Sequence, residues 1–315
     1  MYQDVFIIGA TGKVGRTLVS QIIKNGDMDK SKHINPTRIV GIASSSNYLY
    51  SPEGLPEIDC LNFSPGVRDS KNYKSLENLL NEVKIKQKDN LIFIDVTASK
   101  SIIDFHLKII RETRFGIVTA NKNPLTLSNY KTFKELTKEP CKYGYRCSVM
   151  AGAEAVNFLQ DLRDVNDSPI LIEGCFSGTI GYIISELEKG KKISEAIRDA
   201  KEKGYTEPHP RDDLNGLDVA RKLVILARTS GHDVDMKNVN VSPFIPRKYF
   251  ARENIELFIN STKELDEDFS IKTKKAKENG GVLRYVARLD SRTAPKKLSV
   301  SLQEVSKNSS LGKLE

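Results

Sequence analysis

Apolar residues first gather at positions 5–8, a run closed at once by Gly9, the mark of a strand buried on both faces. Behind it the apolar positions open out to helical spacing through Leu18, Ile22 and Ile23, and stop near Asn25 and Gly26. The alternation recurs, with continuous runs at 38–43, 91–95 and 116–119, and helical periodicity at 79–83 and 105–110 ahead of the last two. Strands alternating with helices predict an α/β fold built on a doubly wound parallel sheet.

Beyond residue 124 the pattern changes. Residues 131–138 read as a polar helix, 143–153 as an extended glycine-containing stretch, 170–173 as a strand, and 177–187 and 217–228 as helices, with another starting near Ser194. Alternating apolar positions at 282–289 and 298–302 predict an antiparallel strand pair. The swing from acidic 264–268 to basic 272–275 reads as a solvated helical face. The domain change is expected near residues 125–150, dividing the chain into domains of 1–145 and 146–295.

Composition narrows this reading. A chain of 315 residues suits two domains. Its 49 Lys+Arg against 41 Asp+Glu leave +8, but the basic residues are scattered among 29% charged residues of both signs, so no nucleic-acid partner is expected. No run approaches the roughly 18 apolar residues of a membrane span. Asp4 interrupts the N-terminus and the apolar stretch ends in glycines, unlike a secretory signal, so no membrane partner and a cytoplasmic location are expected. Cys60, Cys141, Cys147 and Cys175 form no CxxC pair and the four histidines are isolated, which argues against a zinc site.

Candidate chemistry begins at Gly9-Ala10-Thr11-Gly12-Lys13-Val14-Gly15, between a predicted strand and a predicted helix. Glycines in that context let a backbone approach a pyrophosphate and let the helix pack closely on the sheet. The spacing is one residue longer than GxGxxG, and purely structural glycines remain an alternative. The second strand ends in Ser44, Ser45 and Ser46 instead of an acidic residue, so NAD and NADP both stay open. Thr97, Ser99, Asn121 and Lys122 follow later strand ends, where open α/β sheets bind ligands. A surface lysine is the alternative for Lys122.

The densest constellation runs from Gly204 to Arg228. Asn215 and Asp218 are spaced as a capping box opening a helix. Asp218 and Lys222 stand four apart on one face, while Val219, Leu223, Val224 and Ala227 supply the core stripe. A lysine beside a carboxylate in a cleft can pass a proton to a developing alkoxide; a surface ion pair is the bland alternative.

Residues 204–228 resemble the signature of the homoserine dehydrogenase family, as do Phe176-Ser177-Gly178-Thr179 with Tyr182, the Thr119 to Lys122 strand end and the N-terminal glycine turn. The resemblance covers most of the chain. It implies a Rossmann-like domain, a mixed α/β catalytic and dimerisation domain, a homodimer, and NAD or NADP as cofactor in the interconversion of L-homoserine and L-aspartate 4-semialdehyde. Lys222 is implied as acid/base and Lys122 as a second lysine at the reacting centre. Glu207, Asp213 and Asp218 would bind the substrate ammonium or orient Lys222, and Gly178 and Thr179 would hold the carboxylate end. The nicotinamide would lie near Thr97 and Lys122.

Three departures stand out. One is the longer glycine spacing. Another is Cys147, which replaces the acidic residue of the segment where relatives bind an alkali cation, putting a monovalent cation near Cys147, Met150 and Gly152 in doubt. The third is the end at Glu315, which reads 296–315 as the incomplete start of a return to the first domain, with no regulatory module. The rivals are another semialdehyde dehydrogenase, for which Cys147 lacks a histidine partner, and a non-catalytic nucleotide-binding homologue.

Overall fold

The computed structural model describes residues 1–67, 69–87, 89–292 and 296–314. The chain divides into Met1–Asn157 and Phe158–Glu315.

The first unit is built on seven strands: β1 Gln3–Ile8, β2 Thr37–Ala43, β3 Asn47–Tyr50, β4 Lys71–Asn72, β5 Leu91–Asp95, β6 Gly116–Thr119 and β7 Tyr143–Gly144. Their order is β4-β3-β2-β1-β5-β6-β7. From β2 to β7 across β1 every pairing is parallel, and the order reverses at β1, as a doubly wound sheet requires. Both faces are covered. On one, Val5, Ile7, Ile39 and Ile42 pack with Val19 and Ile22 of the helix Lys13–Lys24 and with Cys60 and Phe63. On the other, Phe93 meets Phe6 and Phe105 with ring centroids 5.3 Å apart.

Two features depart from the sequence reading. β3 turns back antiparallel on β2, and β4 on β3, so the edge beyond β2 is not parallel. Of the stretch 143–153 only Tyr143–Gly144 is strand; 3₁₀ turns at Arg146–Ser148 and Met150–Gly152 follow, because Met150, Ala151 and Gly152 all take positive φ (51°, 52° and 89°), which no strand accommodates.

The second unit holds β8 Leu171–Gly174, β9 Val239–Val241, β10 Gly281–Asp290 and β11 Lys297–Ser306, in the order β8-β10-β11-β9. β10 and β11 pair antiparallel over their whole length, while β9 joins β11 in parallel. The helices Gly178–Glu188, Leu217–Thr229 and Asp266–Glu278 pack on this sheet. Of the segment expected to begin a return, 296–315, residues 297–306 form β11 and a terminal turn follows. Arg284 of β10, itself buried, donates to the carbonyls of Leu311 (3.1 Å), Gly312 (2.9 Å) and Leu314 (2.7 Å), tying that turn to the same unit. Glu315, the end of the expected segment, and residues 293–295 lie outside the described residues.

Candidate active site

In the first unit the glycine turn stands at the carboxyl end of β1. The backbone N–H groups of Gly9 and Ala10 both donate to the Ala43 carbonyl at the end of β2 (2.9 and 3.0 Å), which fixes the turn to the sheet. Gly15 has to be glycine: a Cβ there would lie 2.2 Å from the Gly9 carbonyl oxygen, so any side chain would push the helix off the turn. Gly12 opens the helix Lys13–Lys24 with no side-chain cap and no acidic residue in the first turn. Gly12, Lys13 and Val14 are exposed, and Thr11 is half-buried. An uncapped helix start with positive dipole end and bare backbone at a strand's carboxyl end fits a pyrophosphate, so these residues fit a dinucleotide.

The neighbouring strand ends are tightly cross-linked. Asn121, buried, donates from Nδ2 to the Ser99 carbonyl (2.9 Å) and the Thr97 hydroxyl (3.3 Å), which binds the loops after β5 and β6 together. Lys122 follows directly, half-buried, and its carbonyl accepts from the Thr126 hydroxyl at 2.8 Å. Ser44 is placed otherwise: it is 3% exposed and its hydroxyl accepts the N–H groups of Ser46 (3.3 Å) and Asn47 (3.0 Å) in the β2–β3 turn, so the exposed hydroxyls of that strand end are those of Ser45 and Ser46.

Cys147 is an exposed free thiol. Glu154, in the same segment, faces Arg146 at 3.7 Å and accepts from Asn157 at 2.8 Å, so its carboxylate already has cationic and amide partners. Among the described residues no group of three or more His, Cys, Asp or Glu stands in metal-binding array.

In the second unit the remaining candidates converge. The helix Leu217–Thr229 buries Val219, Leu223, Val224 and Ala227, which leaves Asp218 and Lys222 on the side away from the sheet. Its start differs from the capping box expected of Asn215 and Asp218. Gly216 is inserted at φ 77°, where a Cβ would meet the Tyr285 hydroxyl at 2.1 Å, so Asn215 accepts from the N–H of Leu217 (2.8 Å) and Asp218 is left to Lys222. Lys222 Nζ lies 2.8 Å from Asp218 Oδ2 and donates to the Phe176 carbonyl at 2.6 Å. The lysine is 14% exposed and the aspartate 40%, so the pair is sheltered at the amine and open at the acid.

Phe176 leads directly into Ser177, which caps the helix Gly178–Glu188, and so places Gly178 and Thr179 beside the lysine's anchor point. The Thr179 hydroxyl donates to the Tyr205 carbonyl (2.6 Å) and lies 3.0 Å from Asp213 Oδ1, whose Oδ2 accepts the Glu207 N–H at 2.8 Å. Burial pushes the Asp213 carboxyl up, and the nearby Glu207 and Asp218 charges add to the rise against those two hydrogen bonds. Gly178, Thr179, Tyr182 and Tyr205 line an open cleft of ≈ 390 Å³, its two tyrosine rings edge to face at 5.1 Å. Sequence pattern does not single out Tyr205 or give Tyr182 a role, although both lie in the segments that carry the chemistry.

The homoserine dehydrogenase family matches residues 156–315. The chain is 35% identical to a bifunctional aspartokinase/homoserine dehydrogenase of Buchnera aphidicola, over 99% of this chain and 37% of that one. It therefore spans well under half the length of that relative. It is 32% identical to the homoserine dehydrogenase of Schizosaccharomyces pombe, over 91% of this chain and 78% of that one. A crystal structure of a protein of unknown function from Candida auris superposes with a TM-score of 0.85 at 28% identity, covering 100% of this chain and 87% of the other. A family match over half the chain, joined to a relative matched over most of its own length, settles the affiliation: the chain belongs to the homoserine dehydrogenase family.

Proposed function

We propose that the chain catalyses the dinucleotide-dependent interconversion of L-homoserine and L-aspartate 4-semialdehyde. The observation that carries this reading is the Lys222 ammonium, held by Asp218 and by the carbonyl of Phe176, two residues ahead of Gly178 and Thr179, which line the cleft and of which Thr179 bonds Asp213. An ammonium has three N–H donors, and two are engaged. The third serves the substrate's oxygen: Lys222 protonates the alkoxide as the aldehyde is reduced and takes the proton back in the reverse direction.

Glu207 and Asp213 supply the negative charge for an α-ammonium, while Gly178 and Thr179, at the start of a helix, suit an α-carboxylate. Gly9 to Gly15 would hold the pyrophosphate of NAD or NADP, and Thr97, Ser99 and Asn121 would meet its other half. When bound, that cofactor supplies or accepts the hydride. Lys122, at the β6 end, is assigned to the reacting centre as a second cation. A homodimer in the cytoplasm completes the proposal; four free cysteines, two of them exposed, fit a reducing compartment.

Following reduced-dinucleotide absorbance with aspartate semialdehyde, and its formation with homoserine, tests the reading. Turnover of both, independent of phosphate, is expected with NAD or NADP. A requirement for phosphate would point to an acylating semialdehyde dehydrogenase, and dinucleotide binding without turnover of either substrate to a non-catalytic homologue.

A further inference from the structure

The first unit contains a polar network that proton transfer to substrate does not use. Asp95 closes β5, His106 lies on the helix Ile103–Glu112, and Tyr143 opens β7; all three are 1% exposed. The Tyr143 hydroxyl is 2.9 Å from His106 Nδ1, and His106 Nε2 is 3.3 Å from Asp95 Oδ2. The same carboxylate takes the Thr119 hydroxyl on Oδ2 (3.1 Å) and both the N–H and the hydroxyl of Thr97 on Oδ1 (2.9 and 2.7 Å).

From there the bonds run outward. The Thr97 hydroxyl accepts from the Ser99 N–H at 3.2 Å and from Asn121, and the Thr119 hydroxyl accepts the Asn121 N–H at 3.0 Å. One carboxylate thus fixes the shape of both loops that leave β5 and β6, and it is fixed in turn by a histidine from the layer beneath. Burial raises the Asp95 carboxyl, but the His106 ring 3.3 Å away and the two hydrogen bonds from Thr97 outweigh it and hold the group below its ordinary range, so it stays ionised. Burial also drives the Tyr143 phenol far above its ordinary value, so it stays neutral and can donate to Nδ1, leaving Nε2–H for Asp95.

We infer that His106 and Asp95 are positioning residues for the dinucleotide: through Thr97 and Thr119 they hold Thr97, Ser99 and Asn121 in the arrangement that receives it. The inference rests on the dinucleotide reading of this edge. Neither residue reaches the ligand; both act through the loops. The threonine and asparagine side chains could make the same bonds to a ligand only if something else keeps them from turning, and the buried carboxylate is that constraint.

The test is a fluorescence titration of the purified full chain with NADPH and with NADH, paired with steady-state kinetics, for wild type, His106→Leu, His106→Gln and Tyr143→Phe. Leucine removes the polar nitrogen that faces Asp95 at 3.3 Å, whereas the glutamine amide can stand where Nε2 does. Expected is a roughly tenfold rise in dinucleotide Kd and KM for His106→Leu, the scale of one charge-assisted hydrogen bond, with KM for the amino-acid substrate within about twofold. His106→Gln should recover most of the loss. If His106→Leu fails to fold, Tyr143→Phe decides: a weakening of about threefold or more supports the inference, and an unchanged Kd overturns it. Equal losses in the leucine and glutamine variants, or no loss in either, overturn it while leaving the dinucleotide reading intact. Failure of the wild type to bind either dinucleotide overturns that reading itself, and the inference with it.

Discussion

Lys222 stands four residues beyond Asp218, a spacing that places both side chains on one helix face by period alone, and the contact is a 2.8 Å ion pair. Replacing Lys222 by Ala is expected to lower kcat by on the order of 10² or more, the usual scale for losing a general acid/base, with dinucleotide Kd within about twofold. Lys222→Arg should not restore turnover, because a guanidinium does not release its proton. Rapid-mixing kinetics and the fluorescence titration together check this; near-normal turnover in the alanine variant would remove Lys222 from its role. Other residues are not legible in the sequence. Nothing there marks Gly216 as the left-handed residue that cancels the capping box, since its requirement comes from Tyr285 on β10. His106 looks like an apolar-face residue of its helix, because its partners Asp95 and Tyr143 arrive only once β5, β6 and β7 lie side by side.

Elements are legible where their period is long. Most of the long helices and the parallel strands β1, β2, β5 and β6 follow from apolar spacing, because burial on both faces writes itself into continuous runs; the ten-residue helix Ala155–Asp164 is not read from it. β3 and β4, four and two residues long, carry no such signature. What secures them is the helix Leu76–Lys86, whose Glu82 accepts the Tyr48 hydroxyl and pairs with Lys71 (2.8 Å) and Lys86 (3.1 Å). Burial raises the Glu82 carboxyl, but these partners bring it down to about 2. A lowered carboxyl contributes stability that is present above its unfolded value, near 4.3, and lost as pH falls through its folded value. Glu82→Gln should therefore cost about 1 kcal/mol at pH 7, the scale of a partly solvent-screened cluster, and the gap to wild type should close between about pH 5 and pH 2. Urea midpoints across that range measure it, and a gap independent of pH would show that Glu82 acts through packing alone.

At the scale of the molecule, the change of pattern past residue 124 announces a second unit, but not its sheet. β9 is three residues long and pairs in parallel with a strand nearly sixty positions later, an arrangement with no local signature. β8 is the other edge of the sheet, and at its start Ile170 and Leu171 are exposed, an apolar strand edge of the kind a second copy can cover. Light scattering coupled to size exclusion should find the full chain at twice its 35.3 kDa; a species at 35.3 kDa across micromolar concentrations would rule out the homodimer.

The strand orders also set a timetable for synthesis. Every strand of the first sheet has been made once Gly144 leaves the ribosome, so that unit can fold while the rest is still being translated. The second sheet cannot start in this way: β8 and β9 have no partner until β10 and β11, residues 281–306, have emerged. The second unit is thus expected to be the later-folding half of the chain, and an expression host that elongates faster than it can shield nascent chains should lose this protein there first.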